Sequence, residues 1–426
     1  MDPVAAALDL VAVRRPALID LSLSRVTRTL ARLGNPHHRL PPVLHVAGTN
    51  GKGSTVAYLK AILEASGASV HTFTSPHLVN YRERISLAGT EIADAAFIGA
   101  INRVDDAAGA DDLTLFETIT CAAFVAFASA HADYLVLEVG LGGRLDATNV
   151  IERPLAAVIT PIALDHQNFL GDTLEAIAGE KAGIFRRAAP AVVGPQTPEA
   201  MAVFEREADR IRAPLFAFGS AWTAWTENGR LTYQDDAGLC DLSPPRLVGA
   251  HQVMNAALAV AAIRGAGLTF TDEILSAGLQ AARWPARLQR LKSGPLIDAL
   301  GAGADLWLDG GHNPHAARAL AAAFADFEER TSRPLVLISG MQDNKDADGF
   351  FAAFSGLAST VFAVQAQHPG ARAPDDLAAA AERAGIPAYP CGSLLEAATL
   401  ARGGGPVRAL ICGSLYLAGE VLRDNS

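Results

Sequence analysis

The chain is poor in cysteine, short of positive charge and without an apolar run long enough for a membrane, and each shortage removes a class of protein. Its four cysteines, Cys121, Cys240, Cys391 and Cys412, are widely spaced and form no C-x-x-C pair. Neither a zinc ribbon nor a disulfide framework is indicated, and a reduced cytoplasm fits best. Lysine and arginine number 35 against 45 aspartates and glutamates, a formal net charge of -10, which argues against nucleic acid as the main partner. The run Thr118 to Ala130 is too short to span a bilayer, and the N-terminus, with Asp2 and Asp9 among apolar residues, lacks a basic leader. The expectation is a cytoplasmic protein without membrane attachment. No internal repeat or low-complexity tract is found. What the chain does have is size: 426 residues, half of them hydrophobic, supply at least two substantial cores.

The most informative segment is V-L-H-V-A-G-T-N-G-K-G-S-T, Val43 to Thr55, followed by the helical run Val56 to Ala65. An apolar strand enters a turn built from Gly48, Thr49, Asn50, Gly51, Lys52 and Gly53, whose amides can point at phosphate oxygens. Lys52 adds a positive charge, and a hydroxyl at Ser54 or Thr55 can reach a magnesium ion. The segment departs from the strict Walker A string. Val46 stands where its first glycine should be, and Gly53 separates Lys52 from Ser54.

Strand-like apolar runs occur at Val43 to Ala47, Tyr134 to Val139, Leu155 to Thr160, Ala191 to Val193, Leu335 to Ser339, Thr360 to Val364 and Val407 to Cys412. Alanine-rich helical patterns such as Leu115 to Ala130 and Ala316 to Phe327 lie between many of them, the alternation of parallel α/β sheets. Leu215 to Leu242 reads as short, turn-rich β segments, and His251 to Arg264 as a helix. A first domain over 1–290 and a second α/β domain over 291–426 are expected, the boundary falling between Arg283 and Gly294, where Trp284-Pro285 interrupts the pattern.

Several polar groups close apolar runs. Glu138 ends Y-L-V-L-E, where ligands of open α/β sheets bind, and beside a nucleotide its natural role is metal ligation. Gly140, Gly142 and Gly143 hint at a dinucleotide fingerprint, but Leu145 fills the position of the third glycine. Asp165 and His166 follow a strand in the same way. Lys181, read by spacing alone, is a solvated helix lysine. In the C-terminal part a strand delivers Asp309, and a tight turn then delivers His312 and Asn313, with His315 nearby. A carboxylate there suits ribose hydroxyls at least as well as a metal.

These residues carry a family resemblance. The cradle, S-P-H-L at Ser75 to Leu78, L-E-V-G-L-G-G-R-L-D-A-T-N at Leu137 to Asn149, L-D-H at Leu164 to His166, E-K-A-G-I-F at Glu180 to Phe185, W-P-A-R at Trp284 to Arg287 and D-G-G-H-N-P-H at Asp309 to His315 occur in the order found in folylpolyglutamate synthases. More closely, the chain resembles the bacterial bifunctional dihydrofolate synthase/folylpolyglutamate synthases of the Mur ligase superfamily, from roughly Ser24 to Ser414.

The resemblance implies a Mur-ligase-like P-loop ATPase domain with a parallel-type sheet, binding ATP and pteroate or folate, then a smaller Rossmann-like α/β domain that binds glutamate. It implies an ATP-dependent ligase joining L-glutamate to 7,8-dihydropteroate and to the glutamate tail of reduced folates, through an acyl phosphate. Carried over motif by motif, Gly48 to Thr55 hold the phosphates, and Lys52, Lys181 and His166 are the catalytic groups. Two magnesium ions are implied, one on Ser54 and one on Ser75, Glu138 and His166. Lys181 matches a lysine that is carbamylated in the family. Asn255, Arg287, Asp309 and His312 match nucleotide contacts at the domain junction, Phe116 and Asp146 match pteroate contacts, and Lys345 and Ser414 are the candidate amino-acid site. The segment Leu21 to Leu33 resembles the one preceding the cradle in bifunctional members. Small molecules are the expected partners, and a monomer the expected state.

Departures from the family pattern are Ala286 for a glycine, Gly311 for an alanine, Asn344 for an aspartate, and Asn168 where bifunctional relatives often carry an acid. They bear on geometry and substrate preference, not on the ATP chemistry. Alternatives are a folylpolyglutamate synthase with the single activity, another Mur-type amino-acid ligase, for whose N-terminal substrate domain the segment before the cradle leaves no room, and a non-catalytic nucleotide-binding P-loop protein.

Overall fold

The computed structural model describes Val4, Leu8 and residues 22–109, 111–403 and 405–424; Asp2, Asp9 and Leu21, used above, lie outside the described residues. The chain forms two compact units, one from residues up to 246 together with 252–283, the other from 247–251 together with the chain from 284 onward.

The first unit is built on an eight-stranded sheet of order β4-β3-β2-β5-β1-β6-β7-β8. Its strands are β1 Val43–Ala47, β2 Val70–Phe73, β3 Ile85–Leu87, β4 Thr90–Glu91, β5 Tyr134–Glu138, β6 Ala156–Ile159, β7 Ala191–Val193 and β8 Leu215–Ala217. Strands β2, β5, β1, β6, β7 and β8 run parallel. The expected parallel-type sheet is found, and at one edge β3 and β4 turn back antiparallel. Strand β1 is buried along its whole length, the signature of a parallel strand covered on both faces. The chain leaves β1 towards β2 on one side, while β6 lies on the other. The C-terminal ends of β1, β5 and β6 therefore flank the switch point at which open α/β sheets bind ligands.

One face of this sheet packs on two clusters side by side, one containing Phe73, Phe97, Phe124, Phe127 and Leu137 over β2 and β5, the other containing Ile159, Ile177, Phe185 and Phe204 over β6 and β7. Each such side chain contributes about 1.5–3 kcal/mol relative to exposure. The helix Lys52–Ala65 begins within the cradle and is mostly buried. It packs on the helix Asp272–Ala281 so closely that a Cβ on Gly278 would lie 2.4 Å from Ile62 Cα. Three antiparallel strands, β9 Trp222–Glu227, β10 Arg230–Asp235 and β11 Gly238–Leu242, match the turn-rich reading of that region.

The second unit holds a six-stranded sheet of order β12-β13-β17-β14-β15-β16. Its strands are β12 Gln289–Leu291, β13 Asp305–Leu308, β14 Leu335–Ser339, β15 Ala358–Ala363, β16 Ala388–Pro390 and β17 Arg408–Cys412. All are parallel except β12, which pairs antiparallel with β13. The helix Pro314–Arg330 packs Leu320 and Phe324 into its core.

The contact at Gly278 yields an expectation about stability. Gly278→Ala forces backbone apart from backbone rather than turning a side chain aside, so it should cost on the order of 1–3 kcal/mol. Urea unfolding of the two proteins measures this, and an unchanged midpoint would refute the tight helix contact.

Candidate functional site

The chain turns at Gly48, just past β1, with φ +146°. A Cβ there would lie 1.8 Å from Thr160 Oγ1, so only glycine fits. The amides of Thr49 and Asn50 donate to the Pro161 carbonyl at 3.1 and 3.3 Å. The Thr49 hydroxyl donates to the Ala163 carbonyl and accepts from the Ala163 amide, both at 3.1 Å. The loop is thereby stitched to the segment after β6. Gly51, with φ +91°, caps the helix Lys52–Ala65, and the first helical bond found there runs from Thr55 N–H to the Gly51 carbonyl at 2.9 Å. The amides of Lys52, Gly53 and Ser54 therefore have no acceptor within the helix, and they sit at the positive end of its dipole. That is an anion site made by backbone.

Two lysines meet at this loop. Lys52 Nζ donates to the carbonyls of Gly48 at 3.2 Å and Thr49 at 3.3 Å, and Lys181 Nζ donates to the same Gly48 carbonyl at 2.9 Å. The solvated lysine expected from spacing is corrected: Lys181 is 5% exposed. The reason is packing, because the helix Leu174–Ala182 turns Ile177, Ala178, Lys181 and Ala182 inward together. Burial first, and repulsion by Lys52 second, hold the Lys181 ammonium down to about 7, against the pull of Asp165, Asp146 and Glu180.

Glu138 ends β5 and is 2% exposed. It pairs in register with Val46 of β1 and accepts the Ser75 N–H at 3.2 Å, so the structure brings Ser75 and Glu138 together. His166 sits in the left-handed region, φ +52°, and its amide donates to Asp165 at 2.9 Å. Its ring is nearly half exposed and lies 4.0 Å from the same carboxylate. Among the described residues no three His, Cys, Asp or Glu side chains form a ready cage for a metal.

The Ser54 hydroxyl is buried and accepts from Gln252 Nε2 at 3.1 Å, while Gln252 Oε1 accepts from Asn255 Nδ2 at 3.1 Å. Asn255 in turn packs on Gly51, where a Cβ would meet its Oδ1 at 2.5 Å. Sequence reasoning named Asn255 and missed Gln252. The signal was its place three residues earlier on the same helical face. The Thr55 and Thr160 hydroxyls are buried with no hydrogen-bond partner among the described residues.

The two residues read as pteroate contacts flank one loop. A Cβ on Gly140 would lie 2.3 Å from Phe116 Cζ, and the Phe116 ring centroid is 6.1 Å from that of Phe73. Asp146 is buried, and its carboxylate accepts the Thr148 amide at 2.9 Å, the Thr148 hydroxyl at 2.6 Å and the Leu141 amide at 2.8 Å. Burial pushes its pKa up against those hydrogen bonds. Much of its bonding capacity is thus spent on shaping the 140–148 turn. Behind it, His45 Nε2 lies 2.9 Å from the Thr148 hydroxyl, and burial, with Arg186, holds His45 down to about 3.

In the second unit Asp309 follows β13, and its buried carboxylate accepts the Leu288 amide at 2.8 Å and the Gly311 amide at 2.7 Å. The Arg287 guanidinium donates to the Ala286 carbonyl at 2.8 Å. Ala286 and Leu288 have φ +53° and +41°, so the alanine standing where a glycine was expected carries left-handed strain. At Gly311 the expected alanine Cβ would come within 3.0 Å of Asp309 Oδ1. His312 Nδ1 lies 2.9 Å from the Gly310 carbonyl and so carries the proton. Asn313 caps the helix Pro314–Arg330. Ser414, after β17, accepts the Tyr416 amide at 3.1 Å, and the adjoining Gly413 amide donates to the Gly311 carbonyl at 2.9 Å. Lys345 is buried in the loop after β14, where its carbonyl accepts from Arg372. Arg287, Asp309, His312, Lys345 and Ser414 thus gather around the C-terminal ends of β13, β17 and β14.

Comparison with known proteins gives this arrangement a place. The Mur ligase middle domain family matches residues 46–263, and the Mur ligase glutamate ligase domain matches residues 290–414. The chain is 37% identical over 337 residues to the dihydrofolate synthase/folylpolyglutamate synthase of Bacillus subtilis, covering 75% of this chain and 76% of the relative. It superposes on the structure of E. coli FolC in complex with DHPP and ADP with a TM-score of 0.89 at 33% identity, covering 99% of this chain and 97% of that one. A bifunctional folylpolyglutamate synthase/dihydrofolate synthase solved with Mn, AMPPNP and L-glutamate gives 0.86 at 33% identity, again with 99% and 97% coverage. With its cradle, its inward lysine and both ligase domains matched in order, this chain belongs to the dihydrofolate synthase/folylpolyglutamate synthase family of Mur ligases.

Proposed function

We propose that the chain is an ATP-dependent carboxylate–amine ligase that joins L-glutamate to 7,8-dihydropteroate and extends the glutamate tail of reduced folates. The observation that carries this reading is the convergence of Lys52 and Lys181 on the Gly48 carbonyl, at a helix N-terminus with unsatisfied amides. Relatives solved with ADP and DHPP, and with Mn, AMPPNP and L-glutamate, support it.

A carboxylate resists attack by an amine. It becomes an acyl donor when one of its oxygens attacks the γ-phosphorus of ATP, the bond to the bridging oxygen breaks, and ADP leaves. The neutral glutamate amine then attacks the acyl carbon, the tetrahedral intermediate expels phosphate, and the amine loses its proton. Negative charge is concentrated in both steps. The amides of Lys52, Gly53 and Ser54 bind the phosphates, and Lys52 balances the charge that builds on the transferred group.

The donors on hand suit magnesium, which takes one or two carboxylates along with phosphates and waters. Ser54 would hold one ion, and Ser75, Glu138 and His166 a second, with the buried Thr55 hydroxyl a further oxygen next to Ser54. Such ions, when bound, neutralise phosphate charge. Asn255, Arg287, Asp309 and His312 serve the nucleotide, Phe116 and Asp146 the pteroate, Lys345 and Ser414 the glutamate. On this reading residues 1–290 form the ATP and folate domain and 291–426 the glutamate domain, and the protein works as a monomer in the cytoplasm. No helix among the described residues is long and apolar enough to cross a membrane.

Burial, and then Lys52, hold the Lys181 ammonium down to about 7, which brings its neutral amine within reach near neutral pH. Its lone pair can then attack CO2, forming a C–N bond, moving a pair onto oxygen and releasing a proton, so that a cation becomes a carbamate anion.

ADP release should require 7,8-dihydropteroate and glutamate together, and Lys52→Ala should lower it by about a hundredfold or more with the circular dichroism spectrum kept. Release that ignores both cosubstrates would sink the proposal, whereas extension of tetrahydrofolate without any use of dihydropteroate would leave the single polyglutamylation activity standing.

Lys181 binds its proton less tightly in the folded chain than in the unfolded one. Its reactive neutral form is therefore lost as pH falls through about 7. CO2-free buffer at pH 6 should depress turnover, bicarbonate should restore it, and native mass spectra should show the added mass of one CO2. Lys181→Met should show neither response, and a wild type indifferent to CO2 would exclude the carbamate.

Phe116→Ala should raise the Michaelis constant for dihydropteroate by roughly five- to two-hundredfold, the equivalent of about 1–3 kcal/mol of lost aromatic contact, and leave that for ATP little changed. A lower melting temperature with both constants unmoved would make Phe116 a core residue only.

A further inference from the structure

The helix Ser24–Arg32, ahead of the cradle, is outside the ATP chemistry, yet its three arginines reach one short stretch of chain. Arg28 Nη2 pairs with Asp111 at 2.5 Å, and Arg32 Nη1 pairs with the same carboxylate at 2.7 Å. Arg32 also donates to the carbonyls of Ala107 and Ala108 at the end of the helix Asp94–Ala108, at 3.2 and 2.8 Å. These contacts are largely solvated, with Arg28 and Arg32 about half exposed, and contacts of this kind contribute little.

Arg25 differs. Its Nε lies 2.9 and 2.8 Å from the two carboxylate oxygens of Glu117, and the side chains are 13% and 6% exposed. Val26 and Leu30 on the same helix, and Leu113 and Ile119 beside Glu117 in the chain, belong to one core cluster. Glu117 also belongs to a capping box. It accepts the Thr114 amide at 2.7 Å while its own amide donates to the Thr114 hydroxyl at 3.3 Å, fixing the first turn of the helix Leu115–Phe127. Phe116 is the residue between Thr114 and Glu117 whose ring fills the space left by the missing Cβ of Gly140.

A charge pair in such a place is a poor way to add stability, since apolar residues of like volume often do better. What it supplies is direction. First turns of helices are prone to local opening. Here a planar guanidinium from a separate helix holds the N3 carboxylate, which holds the N-cap, which sets where the ring in between points.

We infer that Arg25 is a positioning residue for the pterin end of the substrate, acting through the Glu117 carboxylate on the ring of Phe116. The inference rests on the reading of Phe116 as a pteroate contact. It assigns the segment before the cradle a part in choosing the substrate, separate from its part in the core.

The test compares Michaelis constants for dihydropteroate and for ATP in the full-length enzyme. Arg25→Ala should raise the first by about tenfold and change the second by less than about twofold. Arg25→Lys, which keeps the charge and loses the rigid guanidinium, should fall between that and the wild type. Asp111→Asn removes the solvated pairs of the same helix without touching the capping box, and it should leave both constants unmoved.

If Arg25→Ala does not fold, Arg25→Lys decides by the same comparison. The inference is overturned if the folded Arg25 variants keep the wild-type constant for dihydropteroate, if Asp111→Asn raises that constant as much as they do, or if neither Arg25 variant folds. Phe116→Ala, measured alongside, separates the two readings. If it leaves the dihydropteroate constant unchanged, the assignment of the pterin end fails. If it raises that constant while the Arg25 variants do not, only the role of Arg25 fails.

Discussion

Everything at the cradle depends on one carbonyl. Gly48 C=O accepts from both Lys52 and Lys181, and the backbone can present it there because residue 48 has no side chain to strike Thr160. Burial, and then the neighbouring Lys52 ammonium directed at the same oxygen, hold Lys181 down to about 7. The site in this state is thus short of negative charge. A bound polyphosphate, or a carbamate on Lys181 as proposed above, would each relieve it, and both meet the same requirement.

How much of this was legible in the sequence varies with the kind of fact. The cradle was, because a strand, a glycine-rich turn and a helix leave marks at fixed spacing, and only residue types that tolerate positive φ fit at Gly48 and Gly51. Glu138, Asp165 and Asp309 were visible as carboxylates closing apolar runs. The burial of Lys181 was not. Nothing in E-K-A-G-I-F says which face of the helix the sheet will cover, and tertiary packing decided it. Strand β2 was missed for a related reason: His71 and Thr72 read as polar, yet both are buried in the sheet. Gln252 escaped notice because its partner, Ser54, is 198 residues away in the chain.

The second unit shows a different limit. Ala286 was legible as a departure, but the sequence could not say what the departure costs. In the folded chain Ala286 and Leu288 both occupy the left-handed region, and the amide of Leu288 binds the Asp309 carboxylate. The turn is held open by that bond and by the Gln289 side chain, which accepts the Ala286 amide at 2.9 Å. A strained turn secured by polar contacts keeps Asp309 in place where a glycine would have done so without strain.

The buried row His45, Thr148, Asp146 has a polarity of its own. A threonine hydroxyl has one proton, and here it goes to Asp146 at 2.6 Å, so the oxygen must receive its second hydrogen bond from His45 Nε2. The ring is therefore locked in one tautomer, with Nδ1 bare. Nitrogen chemical shifts distinguish the two tautomers of a neutral imidazole, so a single histidine in the floor of the sheet reports whether the Thr148 hydroxyl is engaged by Asp146.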